Sequence, residues 1–219
     1  MRNSMTTHLA PDELLADYAS GAATPGVALL VATHLTHAPQ SRARLDAMES
    51  VGGAVLKDAA AAELSNDALS ATLAMLDEEG TTAANAPAGT GHASGPLPAI
   101  VVDAFGSDFD DIPWKFQLPG LSAAEFDGFG DEKVILLRAR PGAKIPQHTH
   151  EGSELTLVLT GCLSDGGVDY RKGDIAMNDE HDDHRPQITG DEVCYCLVVQ
   201  QGALRFTGTF SKVLNYLGE

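Results

Sequence analysis

The sequence predicts a multidomain protein with a small four-helix N-terminal domain over residues 1–80 and an all-β domain over residues 99–219. In the first part, apolar residues recur at spacings of three and four, which is typical of amphipathic helices. Beyond residue 98, short apolar runs are separated by Gly, Pro and Asp, which is typical of strands in a barrel or sandwich. Residues 81–98 are rich in Gly, Ala, Thr and Pro, and this composition predicts a flexible linker.

Four helices are expected before residue 80. The first begins at Pro11 and ends at Gly21, and the second begins near Pro25. The third follows Ser41, which can serve as its N-cap, and the fourth follows Ser65. Four short amphipathic helices are enough to build a small helical domain.

The all-β prediction rests on seven short segments with strand-like composition. They are IVVDAF, WKFQL, KVILLRAR, LTLVLTG, VDY, VCYCLVV and LRFTG. We expect the last ten residues to add one or two helical turns that close the barrel.

Composition excludes several classes of partner. The chain has 14 Lys and Arg against 31 Asp and Glu, a net charge of -17, which disfavours DNA and anionic membranes and favours a basic protein. No apolar run reaches the roughly 18–20 residues that span a bilayer. The three cysteines, Cys162, Cys194 and Cys196, lack the spacing of a disulfide framework, so we expect reduced thiols and a cytoplasmic location.

A candidate metal half-site lies in the stretch GAKIPQHTHEGSELTLVLTG. His148 and His150 are two residues apart, so they share one face of an extended strand. Glu154 has the same parity and can return on the facing strand. Two imidazoles and a carboxylate that converge make half of a transition-metal site. The alternative is a polar hairpin with two exposed histidines.

The spacing matches the first motif of the cupins, Gly142-x5-His148-x-His150-x3-Glu154-x6-Gly161. The resemblance implies a double-stranded β-barrel that carries a metal, and a further histidine ligand from a second motif. His181 and His184 are both candidates. We favour His184 because it stands in an H-x-P element with Pro186, as in similar cupins.

The resemblance therefore implies one divalent transition metal, held by His148, His150, Glu154 and His184. Three imidazoles and one carboxylate suit Zn, Mn, Fe, Ni or Cu, and the resemblance favours zinc. Glu151 and Asp183 are candidate acceptors for imidazole N–H groups. They could equally be solvated acids on an acidic chain.

Over nearly its full length the chain resembles the ChrR-type anti-sigma factors, which join a helical sigma-binding domain to a cupin. In that family the helical domain holds zinc through an early His and an H-x3-C-x2-C motif. His8 and His34 match the two histidines, whereas the cysteine positions fall on Ala38 and Ser41. Alanine cannot bind zinc and serine binds it poorly. We therefore expect no N-terminal zinc, although a site rebuilt with His37 is an alternative.

The resemblance implies sequestration of an alternative sigma factor, relieved when an oxidative signal perturbs the cupin. Leu69, Leu73 and Leu76, beside acidic residues such as Asp67 and Asp77, form a stripe that suits a groove in a basic partner. The same stripe could instead complete the bundle or a homodimer. The rival function is a dioxygenase-like cupin enzyme with a docking or oligomerisation domain. We favour the regulator because the cupin shows no obvious catalytic acid, base or substrate clamp.

Overall fold

The computed structural model describes residues 6–77, 95–106 and 108–208, and these contain five α-helices, a short 3-10 helix over Phe109–Asp111 and eleven strands. The helices are α1 Asp12–Ser20, α2 Pro25–Leu35, α3 Pro39–Asp58, α4 Ala68–Asp77 and α5 Ala99–Phe105. The strands are β1 Lys115–Leu118, β2 Leu121–Phe126, β3 Lys133–Ala139, β4 His148–His150, β5 Glu154–Thr160, β6 Cys162–Asp165, β7 Val168–Arg171, β8 Ile175–Asn178, β9 Gln187–Thr189, β10 Cys194–Gln200 and β11 Leu204–Phe206.

All strand pairs are antiparallel, and they form three sheets. The largest has the order β1-β2-β3-β10-β5-β8, a second pairs β11 with β4, and a third has the order β7-β6-β9. The alternation of buried and exposed residues in β2 and β3 follows the period of two expected when one face of a strand packs on a core. β5 and β10 are buried almost throughout, because other elements cover both of their faces.

Two predictions about local structure were wrong. The segment IVVDAF lies in α5, not in a strand, because Val101 and Val102 are buried together against the core beside α2. The third helix begins at Pro39, because proline is well suited to the first turn of a helix, where its missing N–H costs nothing. Ser41 is therefore not an N-cap but a buried residue inside α3. The first helix does end as predicted, with Gly21 in the left-handed conformation.

The helical region and the sheets share one apolar core. α2 lies against β10 and β5, and Leu30 and Val31 are fully buried in the same cluster as Leu197 and Val199. The approach is close: a Cβ on Gly26 would lie 2.7 Å from a methyl group of Val134. Any larger residue at this position would push α2 away from the sheet.

Polar contacts beside this core also hold the helical region against the β domain. Asp174, in the turn between β7 and β8, is buried, and its Oδ1 accepts hydrogen bonds from the backbone N–H groups of Thr7 and His8 at 2.6 and 2.9 Å. Its Oδ2 accepts from the backbone N–H of Arg171 at 2.8 Å. The backbone N–H of Ile175 donates to the carbonyl of His8 at 3.0 Å. The start of the chain is thereby tied to one turn of the β domain.

Parts of the prediction lie outside the described residues. These are most of the linker, the last ten residues, and the side chains of Leu76 and Asp77. None of the described helices alone has the length and apolar composition to cross a bilayer. Only α1 and α2 taken together meet that test, and they are bent by 112° relative to each other.

We expect Asp174→Asn to lower the free energy of unfolding by about 1.5–3 kcal/mol, because hydrogen bonds to a charged acceptor are lost or weakened. Urea denaturation followed by circular dichroism measures the change. Asp169→Asn is the matched control, since Asp169 lies on the neighbouring strand and makes only an exposed ion pair with Arg171. Equal effects of the two substitutions would contradict the role given to Asp174.

Candidate metal centre

Strand geometry brings four predicted residues to one point. His148 and His150 begin and end β4 and are both buried, which fits side chains two apart on the inner face. Glu154 is the first residue of β5, and His184 forms an isolated bridge to His148 through its backbone. One potential ligand atom from each of the four residues lies within 4.8 Å of the other three.

The three imidazoles face one another through their Nε2 atoms. The Nε2 of His184 is 3.0 Å from that of His148 and 3.0 Å from that of His150. The Oε2 of Glu154 lies 3.7 Å from the Nε2 of His150. The sequence prediction left His181 as the alternative, and its side chain is instead exposed beside Glu180.

In His148 and His184, a hydrogen bond at the outer ring nitrogen makes the inner nitrogen an acceptor. The Nδ1 of His148 is 2.7 Å from the carbonyl oxygen of Pro146, which can only accept, so Nδ1 carries the proton. The Nδ1 of His184 is 2.6 Å from Oδ2 of Asp165 and donates to it in the same way. In the neutral tautomer each Nε2 then presents a lone pair to the centre. Two Nε2 lone pairs cannot form a hydrogen bond with each other, but one cation can be coordinated by all of them.

Asp165 is the residue that sequence reasoning missed. It lies at the end of β6, is mostly buried, and orients His184 as a carboxylate orients a metal-binding imidazole. The two acids proposed for that role lie elsewhere. Glu151 pairs with Arg205 near the surface, and Asp183 accepts from Gln147 and Thr207. Proximity in sequence to a ligand was not a sufficient signal, because adjacent residues point to opposite faces.

The pKa shifts follow from burial and from these neighbours. Burial, with the nearby His148 and His184, lowers the pKa of His150 to about 4. Burial also lowers the pKa of His148 and raises that of Glu154. Burial opposes protonation of His184 too, but the hydrogen bond and charge of Asp165 outweigh it and raise its pKa. At neutral pH His148 and His150 are therefore free bases, the form that binds metals.

The donor set fits one divalent transition metal. Zinc–nitrogen bonds of about 2.0–2.1 Å place two nitrogens on the same ion roughly 3.0–3.4 Å apart. The spacing of 3.0 Å between the Nε2 atoms is at the lower end of that range. Among the residues that the structure describes, no other group of three or more His, Cys, Asp or Glu side chains converges in this way.

The histidine predicted to remain from the N-terminal zinc motif makes hydrogen bonds instead. His34 is fully buried, its Nε2 is 2.7 Å from the hydroxyl oxygen of Ser41, and its Nδ1 is 2.8 Å from the carbonyl oxygen of Gly173. Because that carbonyl accepts, Nδ1 is the donor, and Nε2 accepts from Ser41. His8 contacts Tyr170 with the two rings tilted and their centroids 4.7 Å apart. The imidazole of His34 thus joins two helices to the β domain.

Comparison with known proteins gives similarities that include the following three. The model of the ChrR cupin-like domain matches residues 103–204. The anti-sigma-E factor ChrR of Cereibacter sphaeroides is 32% identical over 208 residues, which cover 95% of this chain and 96% of the relative. The crystal structure of Rhodobacter sphaeroides SigE in complex with the anti-sigma ChrR contains a similar chain, with 31% identity and a TM-score of 0.78. That match covers 90% of this chain and all of the other.

We expect the purified protein to hold about one transition-metal ion per chain, and His184→Ala to lose most of it. Removal of one of four converging ligands leaves the ion incompletely coordinated. His181→Ala is the matched control and should keep the metal, because His181 is exposed. Elemental analysis after dialysis measures both. Loss of metal in the control alone, or two tightly held ions per parent chain, would contradict the assignment.

Asp165→Asn should weaken metal binding about 10- to 100-fold, because an imidazole loses the carboxylate that orients it. Competition with a chromogenic chelator measures the affinity. Asp183→Asn should leave the affinity unchanged, although Asp183 is adjacent to His184 in sequence. An equal loss in both variants would mean that the effect is a general one of negative charge.

Proposed function

Because the chain belongs to the ChrR family of anti-sigma factors, we propose that it binds and sequesters an alternative sigma factor through its helical region. Similarity over nearly the whole length of the ChrR of C. sphaeroides supports this proposal. So does similarity to the ChrR that was crystallised with SigE. In a cell, such a complex forms in the cytoplasm, where sigma factors act.

The observation that carries the proposal is the exposure of apolar side chains on the second half of α3, on α4 and in the segment between them. Among the described residues, seven of the ten exposed large hydrophobic side chains lie between residues 51 and 75. They include Val55, which is 69% exposed, Leu69, which is 72% exposed, and Leu73, which is 52% exposed. Exposed apolar residues concentrated in one segment are typical of an interaction site. Each leucine buried by a partner would contribute about 1.5–3 kcal/mol.

The exposure of Leu69 and Leu73 also bears on the alternative role of α4. If this helix completed the bundle, Leu69 and Leu73 would be buried inside the chain, and in this structure they are exposed. The acidic balance of the chain favours a basic partner. Sigma factors carry basic DNA-binding surfaces, so attraction between opposite charges would speed their encounter with this surface.

In the β domain we propose the double-stranded barrel of the cupins and one zinc ion held by His148, His150, Glu154 and His184. When bound, the ion would join β4, β5 and the loop before β9. We further propose that this centre responds to oxidative stress. We keep the domain limits proposed from sequence, which are 1–80 and 99–219 with a linker over 81–98. In this proposal the first domain binds the sigma factor and the second binds the metal.

β5 offers a route between the metal centre and the helices. Glu154 stands at one end of the strand, and four residues later Val158 exchanges backbone hydrogen bonds with Gly173 and Asp174, at 2.8 and 3.0 Å. Those two residues hold α2 through His34 and the start of the chain through Thr7 and His8. A displacement of β5 would therefore reach α2 through buried hydrogen bonds.

No zinc is needed in the helical region for this function, because His34 is held by Ser41 and Gly173. We therefore expect the His184→Ala variant, which lacks the metal of the β domain, to capture its sigma factor equally well with and without a chelator.

Leu69→Glu should weaken sigma-factor capture at least tenfold, because a charge would enter an apolar contact. The measurement is a pull-down with the full chain against each alternative sigma factor of the source organism. Phe116→Glu is the matched control, since Phe116 is 73% exposed on β1 of the β domain. Equal capture by both variants would remove α4 from the interface. Failure of the parent chain to capture any sigma factor would overturn the proposed function.

A further inference from the structure

A cavity of about 470 Å³ lies beside the metal centre, inside the β domain. His148, Glu154 and His184 form part of its wall, and much of the rest comes from β2, β3, β5, β8 and β10, with further residues from β1, β6, β11 and the loops before β4 and β9. Its volume is within the range of pockets that bind small organic molecules. Sequestration of a sigma factor makes no use of such a space.

A row of polar side chains crosses four strands at one level of this cavity. Gln200 of β10 pairs in register with Lys133 of β3 on one side and with Glu154 of β5 on the other. Glu154 in turn pairs with Asn178 of β8. All four residues line the cavity.

Gln200 is the unusual member of this row. Its side chain is 4% exposed, and its Nε2 has no hydrogen-bond partner. Buried amide donors are nearly always paired, so an unpaired one on a cavity wall indicates a missing acceptor. Lys133, exposed at the start of β3, pairs in register with Gln200 and also lines the cavity, so the two adjacent residues both offer donors.

The acidic residues of the cavity wall either have other partners or lie at another level than Gln200 and Lys133. Glu154 faces His150, and Asp165 is hydrogen-bonded to His184. Glu125, on β2, is the remaining carboxylate of the wall. It pairs with Ile135 one level deeper and would repel a second negative charge. The cavity is therefore suited to one acidic group, placed at Gln200 and Lys133.

Below the polar row the wall is mostly apolar, with Glu125 and Thr156 as polar members at the level of Ile135 and Val198. Ile135, Leu137, Leu163 and Val198 line it, and Cys196 lies near its inner end. From Gln200 to Cys196 is four residues of β10, which span about 13 Å along a strand. An extended chain of about eight to ten carbons would fit this depth.

We propose that this cavity binds a monocarboxylate with an unbranched apolar chain. The carboxylate accepts hydrogen bonds from Gln200 and Lys133, and the chain lies against Ile135, Leu137 and Val198. The proposal goes beyond sigma-factor binding and does not depend on it, because the cavity and the exposed surface of α3 and α4 share no residue.

Isothermal titration of the intact protein with octanoate tests the proposal. We expect saturable binding with one site per chain, at least tenfold tighter than for 1-octanol, which has no charge for Lys133 to pair with. Gln200→Leu should weaken octanoate binding about ten- to a hundredfold, the usual worth of a hydrogen bond to a charged group. Gln201→Leu is the matched control, because Gln201 is exposed and bonds Ser153 and Glu132 outside the cavity.

A second variant tests the apolar part. Ile135→Trp fills the space below the polar row, so octanoate binding should disappear while the thermal unfolding temperature shows that the protein stays folded. If Ile135→Trp does not fold, Val198→Phe serves the same purpose. Absence of octanoate binding to the parent overturns the proposal, as does equal binding of 1-octanol. Binding that survives both Gln200→Leu and the filled cavity would place octanoate elsewhere and overturn it as well. Sigma-factor capture should be unchanged in Gln200→Leu, so failure here is distinguishable from failure of the proposed function.

Discussion

The buried carboxylate of Asp174 is the interaction on which the arrangement of the two regions depends. An ionised group taken out of water costs several kcal/mol unless it is paired. Here backbone N–H groups of Thr7 and His8 help to offset that cost, so these bonds favour the arrangement in which the start of the chain lies on the turn before β8. Once that turn is fixed, the carbonyl of Gly173 stands where His34 can donate to it. The apolar core gives the interface its strength, and the carboxylate gives it one register.

The convergence of the candidate ligands His148, His150 and Glu154 was predictable from local rules, whereas His184 was chosen from the resemblance to cupins. A strand places alternate side chains on one face, and a recognised spacing supplies the partner on the next strand. The support of His184 by Asp165 was not predictable in this way. The two residues are 19 positions apart, and their contact depends on how β6 lies beside the second motif. Charge and proximity in sequence favoured Glu151 and Asp183, and neither reaches an imidazole.

The errors in the helical region also have a physical origin. The run IVVDAF has strong β propensity, yet a half-exposed helix buries Val101 and Val102 equally well, and tertiary packing decides between the two. Ser41 has the chemistry of an N-cap, but Pro39 begins the helix earlier and carries Ser41 into the core. There its hydroxyl meets His34, the histidine that the sequence pattern assigned to a broken zinc motif. A buried hydrogen bond thus joins α2 to α3 at the place where the family's zinc motif lies in the sequence.

The length of α3 separates the two surfaces of the helical region. Its first half packs inward through Ser41 and Leu45, whereas Val51 and Val55 in its second half are exposed. A partner can therefore cover the exposed half and α4 without entering the core that α2 shares with the β sheets. The inward half of α3 connects the exposed half to the core. The contact between His34 and Ser41 joins α2 to this inward half, so it lies between the β domain and the exposed apolar residues.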